Sequence, residues 1–156
     1  MVPLPPLSPL AVTTLGVRWL HVLAATVAVG GSVLTWVRLR LESTGGNVPI
    51  DESALVLARG YEWLFWAAVG ALVMTGVGNL GAFAPTLPGG RWRTTLDVKL
   101  GLLTLVLVGS AVRTRLLARV AGSSAEVPTG LLRRAYGATA LGLVALLTLA
   151  VVLAHG

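Results

Sequence analysis

The chain has 156 residues, of which 55% are hydrophobic and 12% are charged, and its mean hydropathy is +0.84. A soluble domain usually carries about 25% charged residues, so this composition excludes an ordinary soluble fold and predicts an integral membrane protein. No cysteine is present, which excludes disulfides and thiolate metal sites. The net charge of +6 comes from short basic clusters between apolar runs, a pattern that favours the lipid bilayer over nucleic acid as the partner.

The apolar runs predict an all-α membrane protein, a single four-helix domain over residues 1–156. We predict spans at about 17–38, 59–81, 95–114 and 134–154. The first uncharged run, from Trp19 to Val37, would form about 28 Å of helix, close to the roughly 30 Å of bilayer hydrocarbon. Acidic residues favour helix starts, so the group Asp51-Glu52-Ser53 is expected to begin the second helix. The pair Thr94 and Asp97 has capping-box spacing and is expected to begin the third.

Basic residues are distributed unevenly between the two ends of the predicted spans. One end has eight: Arg38, Arg40, Arg59, Arg113, Arg115, Arg119, Arg133 and Arg134. The other has Arg18, Arg91, Arg93 and, at most, Lys99. Because cytoplasmic connections carry the excess of Lys and Arg, we predict a multi-pass protein of the cell (inner) membrane. Both termini are then extracytoplasmic.

Four side chains that can bind metals or cofactors are predicted to lie in the outer half of the membrane. Helix rise places His21 about 5 Å and Lys99 about 9 Å below the outer edge. Met74 lies about 22 Å above the inner boundary, and His155 reaches the outer surface. An ionisable residue inside a span suggests function by default. Each also has a structural interpretation: a hydrogen-bonded histidine, a snorkelling lysine, a packing methionine and a frayed terminus.

Small residues line the helical faces beside these side chains. Below His21 they are Ala24, Ala25, Ala28 and Ser32, and Met74 is flanked by Gly70 and Gly78. Such stripes permit close helix approach. They would equally leave room for a flat macrocycle beneath an axial histidine. The sequence leaves both interpretations open.

The sequence gives little support for proton-coupled transport, phosphate binding or nucleophilic catalysis. Glu62 lies one turn after Arg59, so we expect a surface ion pair, which does not favour a proton-coupled transporter. Gly89-Gly90 is followed by Arg91-Trp92-Arg93 and not by the lysine and hydroxyl of a phosphate-binding loop. The serines and threonines of the spans have no base nearby in sequence. Whether the chain is an enzyme therefore stays open.

Several segments resemble the copper resistance D (CopD-like) family of membrane proteins. They are Trp19-Leu20-His21-Val22-Leu23-Ala24-Ala25 with Gly30-Gly31, then Leu72-Val73-Met74-Thr75-Gly76-Val77-Gly78-Asn79, Gly90-Arg91, Leu96-Asp97-Val98-Lys99-Leu100, and Arg113 to Leu117. The resemblance covers about residues 17–120. The arrangement of the spans also resembles, more distantly, that of HemJ-like protoporphyrinogen oxidases. In that family a first-span histidine and a third-span lysine serve haem and porphyrin chemistry.

The resemblance implies a metal centre near the extracytoplasmic face. Its cofactor-binding residues would be His21 and Lys99. The predicted depths add Met74 and His155 to His21 as the candidate metal ligands. The leading expectation is copper binding or transport across the membrane. The alternative is a b-type haem protein of electron transfer or haem metabolism, which as an enzyme would be an oxidoreductase. A third is a structural membrane subunit. Expected partners are an extracytoplasmic metal or electron donor and further copies of the chain.

Overall fold

The computed structural model describes residues 9–42, 52–81, 89–122 and 129–155, which form four α-helices. They are α1 (Pro9–Glu42), α2 (Glu52–Gly81), α3 (Arg91–Gly122) and α4 (Thr129–His155). Each helix contains a stretch long and apolar enough to cross a membrane. The predicted all-α, four-helix architecture is therefore confirmed for the part of the chain that the structure describes.

The helices extend beyond the apolar runs from which they were predicted. At 34 residues, α1 is about 51 Å long, which exceeds the roughly 30 Å hydrocarbon thickness. It starts at Pro9, a residue that helices accept in their first turn because no N–H is needed there. α2 starts at Glu52, within the group from Asp51 to Ser53 that was predicted to begin it. The additional turns lie at the helix ends, where polar residues can reach the headgroup region.

The start of α3 differs from the prediction. Gly90 has a φ of 62°, a left-handed conformation that suits glycine. The backbone N–H of Thr94 donates to the carbonyl oxygen of Gly90 at 3.3 Å, and the Thr94 hydroxyl donates to the same oxygen at 3.4 Å. The helix therefore begins at Arg91. The capping box predicted for Thr94 and Asp97 is wrong, because Thr94 already lies inside the first turn.

The helices alternate in direction around the bundle. α1 packs along α2 and α4, and α3 packs along α4, whereas the backbones of α2 and α3 approach each other at few places. His21 in α1 contacts Thr75 late in α2, and Arg38 late in α1 donates to Ser53 at the start of α2. One end of the bundle, called here the His21 end, thus joins the first halves of α1 and α3 with the last turns of α2.

Small residues on α1 face the neighbouring helices. Ala24, Ala25, Ala28 and Ser32 are all less than 10% exposed. Next to them, Gly31 lies so close to the ring of Tyr61 that a Cβ atom at this position would overlap it. From Ala24 to Ser32 this face of α1 is therefore occupied by helix packing, the first of the two interpretations of the stripe.

Candidate functional site

His21 reaches from α1 to α2 at the His21 end of the bundle. Its Nδ1 atom lies 2.6 Å from the hydroxyl oxygen of Thr75, a residue that is 6% exposed. The imidazole itself is half-buried. The Thr75 hydroxyl also lies 2.6 Å from the carbonyl oxygen of Ala71 and 3.3 Å from that of Leu72, both on its own helix. One ring nitrogen of His21 is thereby fixed by α2.

Lys99 on α3 belongs to the same end of the bundle. It is half-buried and close enough to His21 to interact with it electrostatically. Among the described residues, Lys99 has no acidic side chain within ion-pair distance. The fold thus places the two predicted cofactor-binding residues at one end of the bundle and adds Thr75 as the partner of His21. Basic residues outnumber the carboxylate of Asp97 at this end of the bundle, which makes it suitable for an anionic group.

Met74 is directed away from this group. It is 78% exposed, whereas its neighbour Thr75 is buried, because successive residues of a helix lie about 100° apart. Gly70 and Gly78, one turn on either side, are exposed with open space around them. The structure does not bring Met74 to the inward face on which Thr75 holds His21.

The remaining predicted ligand, His155, is the last residue of α4, and its side chain lies outside the described part of the structure. Within the described ranges, no group of three or more His, Asp or Glu side chains is arranged to hold a metal ion. His21 is therefore the one predicted ligand whose side chain is both described and turned toward a neighbouring helix.

A second polar cluster lies deeper in the bundle around Glu62, which is 6% exposed. One carboxylate oxygen accepts hydrogen bonds from Arg113 Nε and from the Tyr136 hydroxyl, each at 2.8 Å. The other accepts from the Thr114 hydroxyl at 2.5 Å. The expected surface ion pair with Arg59 is wrong, because the face of α2 that carries Glu62 is turned toward α3 and α4.

Arg113, assigned from the sequence to the cytoplasmic boundary, is fully buried. Its guanidinium carbon lies 4.5 Å from the ring centroids of both Phe65 and Tyr136. Nη1 donates to the Thr139 hydroxyl at 2.9 Å. Nη2 has no hydrogen-bond partner among the described residues, and the aromatic faces provide its electrostatic contact. The positive charge of the guanidinium is thus compensated by the carboxylate of Glu62, and the rings of Phe65 and Tyr136 pack against it.

The Glu62 cluster ties the helices together. Tyr61 donates its hydroxyl proton to the carbonyl oxygen of Ala28 at 2.6 Å and lies 2.6 Å from the Ser32 hydroxyl, which links α1 to α2. Trp66 Nε1 donates to Thr114 at 3.1 Å, which links α2 to α3. One positive and one negative charge compensate each other here. The cluster is therefore suited to fixing the bundle, since its polar groups are almost all paired.

The two polar regions are separated along the bundle. Thr75 and Glu62 lie 13 residues apart on α2, which corresponds to about 20 Å of helix. Of the two regions, the one at the His21 end has an uncompensated charge and an imidazole with one unassigned nitrogen. It is therefore the candidate binding region. The sequence predicted His21 and Lys99 as site residues; the signal for Thr75 was its place in the family-like stretch from Leu72 to Asn79.

The resemblance to CopD-like proteins rests on the residues of this chain alone. Comparison with protein-family models, with curated proteins and with solved structures finds no match to the chain.

Proposed function

We propose that this chain is a multi-pass membrane protein that binds a b-type haem through His21 at the extracytoplasmic end of its bundle, for electron transfer or haem metabolism. The observation that carries the proposal is the anchored imidazole of His21, fixed through Nδ1 to Thr75 at the same end of the bundle as the half-buried cation of Lys99.

Membrane insertion is supported by the outer surface of the bundle. Large apolar side chains point outward on every helix, among them Trp63, which is 82% exposed, and Leu141, which is 74% exposed. Exposed apolar surface of this extent in a soluble monomer would be an aggregation hazard. In a bilayer the same surface contacts lipid tails.

The orientation follows from the basic residues, with one revision. Arg113 is buried against Glu62, so it no longer counts as a connection charge. The remaining seven of the eight are Arg38, Arg40, Arg59, Arg115, Arg119, Arg133 and Arg134. They still exceed Arg18, Arg91, Arg93 and Lys99 at the other end. Under the positive-inside rule the His21 end is extracytoplasmic.

Haem suits the residues at this end better than a copper ion does. Haem has two carboxylate groups in addition to its iron; Lys99 would pair with one of the carboxylates and His21 would hold the iron. A bare copper ion would be repelled by the positive charge of Lys99. Copper sites also use several soft or imidazole ligands, and Met74 is turned outward. Bound haem would supply one-electron chemistry at iron.

Absorption spectroscopy and metal analysis of the purified protein test the proposal. We expect a Soret band with about one haem per chain, loss of the band in His21→Ala, and retention in Met74→Leu, an outward-facing control. A Soret band that persists in His21→Ala would overturn the assignment of the ligand. Stoichiometric copper without a Soret band would replace haem with copper. If the purified protein contains neither haem nor copper, the remaining interpretation is a structural membrane subunit.

A further inference from the structure

The hydrogen bonds of Thr75 decide which nitrogen of His21 carries a proton. A hydroxyl group has one proton to donate and two lone pairs that accept. Around the Thr75 hydroxyl lie the carbonyl oxygens of Ala71 at 2.6 Å and Leu72 at 3.3 Å, together with His21 Nδ1 at 2.6 Å. A carbonyl oxygen only accepts, so the close contact with Ala71 requires the proton of Thr75 to point there.

The hydroxyl proton is therefore committed to the helix backbone. Donation from Thr75 to Nδ1 would leave two oxygen atoms facing each other at 2.6 Å with no proton between them. Threonine in a helix commonly donates to the carbonyl four residues earlier, which agrees with this arrangement. His21 must consequently be the donor, with the proton on Nδ1 and the Thr75 oxygen as acceptor.

We infer that Thr75 is a positioning residue that holds His21 as its Nδ1–H tautomer and leaves the lone pair of Nε2 available to a ligand. A neutral imidazole has one N–H and one lone pair, so fixing the first at Nδ1 places the second at Nε2. Metal-binding histidines commonly donate their other ring N–H to a nearby acceptor, which sets the tautomer and the ring orientation. The identity of the ligand rests on the proposed function; the tautomer does not.

Nitrogen NMR of the full chain in detergent, free of cofactor and labelled with ¹⁵N-histidine, tests the tautomer. The chain has two histidines, so the His155→Gln variant leaves His21 as the single signal. At a pH above the titration of the imidazole we expect the shift pattern of Nδ1–H with an unprotonated Nε2. The Nε2–H pattern, or a fully protonated ring at that pH, would overturn the inference.

Two substitutions separate positioning from packing. Thr75→Val keeps the shape of the side chain but removes the acceptor, so His21 should lose its preference for Nδ1–H. Thr75→Ser keeps the hydroxyl and should preserve it. Unchanged tautomer populations in Thr75→Val would refute the role of Thr75, provided that helical circular dichroism matches the wild type. Should Thr75→Val fail to fold, a Nε2–H pattern in Thr75→Ser would refute it in the same way.

The second measurement is the haem affinity of each variant, obtained by adding haem to the cofactor-free protein. We expect Thr75→Val to weaken haem binding about 10-fold to 100-fold, the usual effect of losing such a partner, and Thr75→Ser to restore most of it. Unaltered haem affinity in Thr75→Val, in a protein that binds haem through His21, would refute positioning. A wild-type protein that shows the Nδ1–H tautomer but binds no haem would refute the proposed function and leave the tautomer assignment intact.

Discussion

The guanidinium of Arg113 and the carboxylate of Glu62 meet at 2.8 Å inside the bundle, although 51 residues separate them in the chain. They lie between α2 and α3, the pair of sequential helices whose backbones approach each other at few places. Two long, oppositely charged side chains thus bridge a gap that short apolar residues would leave open. This relationship makes the pair a determinant of how α3 is placed.

Loss of Arg113 should destabilise the protein strongly. Arg113→Met leaves the Glu62 carboxylate buried without its cation, and removing one partner of a buried pair costs about 3–5 kcal/mol of unfolding free energy. Arg115→Met is the matched control, since Arg115 is exposed on the same helix and should change stability by about 0.5 kcal/mol or less. Denaturant unfolding in micelles measures both.

A double variant shows that the cost arises from the unpaired charge. Glu62→Gln combined with Arg113→Met removes both charges, and it should be more stable than Arg113→Met alone. Equal stability of Arg113→Met and Arg115→Met would contradict the buried pair.

The adjacent glycines of α1 should respond differently to the same substitution. A Cβ atom at Gly31 would overlap the Tyr61 ring, whereas the space around Gly30 is open. Gly31→Ala should therefore cost about 1–3 kcal/mol through overpacking. Gly30→Ala should be neutral or should stabilise the helix by up to about 1 kcal/mol. Thermal unfolding monitored by helical circular dichroism compares them, and equal midpoints would argue against the α1–α2 contact.

Two tryptophans three residues apart report on membrane insertion. Trp63 is 82% exposed on the outside of the bundle, while Trp66 is partly buried and donates to Thr114. The chain has five tryptophans, so two variants are needed, each with four of them replaced by phenylalanine and only Trp63 or only Trp66 retained. Each variant is reconstituted with brominated lipid, which quenches tryptophan fluorescence by contact. We expect strong quenching of Trp63 and weaker quenching of Trp66. The opposite order would show that this face of α2 is not in contact with lipid.

Lys99 should contribute to cofactor retention by its charge. Lys99→Met removes the cation beside His21 and should weaken haem affinity about tenfold, the value of roughly one charge-assisted hydrogen bond. Lys99→Arg should retain most of the affinity. Arg93→Met, at an exposed position earlier in α3, serves as control in the same haem titration. An effect of Arg93→Met as large as that of Lys99→Met would indicate a general charge effect.

Reporter fusions test the orientation. Fusions at Gly46 and Ser123, in the connections that follow α1 and α3, should report the cytoplasm, and a fusion after Gly156 should report the exterior. The physical reason is the excess of basic residues at the helix ends that flank those two connections. The reverse pattern would place the His21 end in the cytoplasm.

The number and nature of the helices could be predicted from the sequence because they depend on local properties. A long apolar run satisfies its own backbone groups by forming a helix, which is what a segment needs wherever lipid offers no hydrogen-bond partner. The start of α2 at Glu52 lies within the acidic group from Asp51 to Ser53 that predicted it. The start of α3 did not, because Gly90 takes a conformation that a capping-box pattern does not reveal.

The candidate site was predictable only in part. Helix rise gives the height of a residue from its number alone, and this placed His21 and Lys99 at similar depths. Rise does not give the direction in which a side chain points. Met74 was assigned to the same depth, yet it faces outward while Thr75, the next residue, faces His21.

The partners of the charged residues were decided by the tertiary structure. Spacing alone assigns Glu62 to Arg59, its neighbour one turn earlier. The bundle instead turns Glu62 toward Arg113, Thr114 and Tyr136. The periodicity and the backbone hydrogen bonds of a helix depend only on residues that are close in sequence, so the sequence predicts them. The rotation of each helix and its register against the others result from the packing of all four, so contacts between distant residues emerge only when the bundle is assembled.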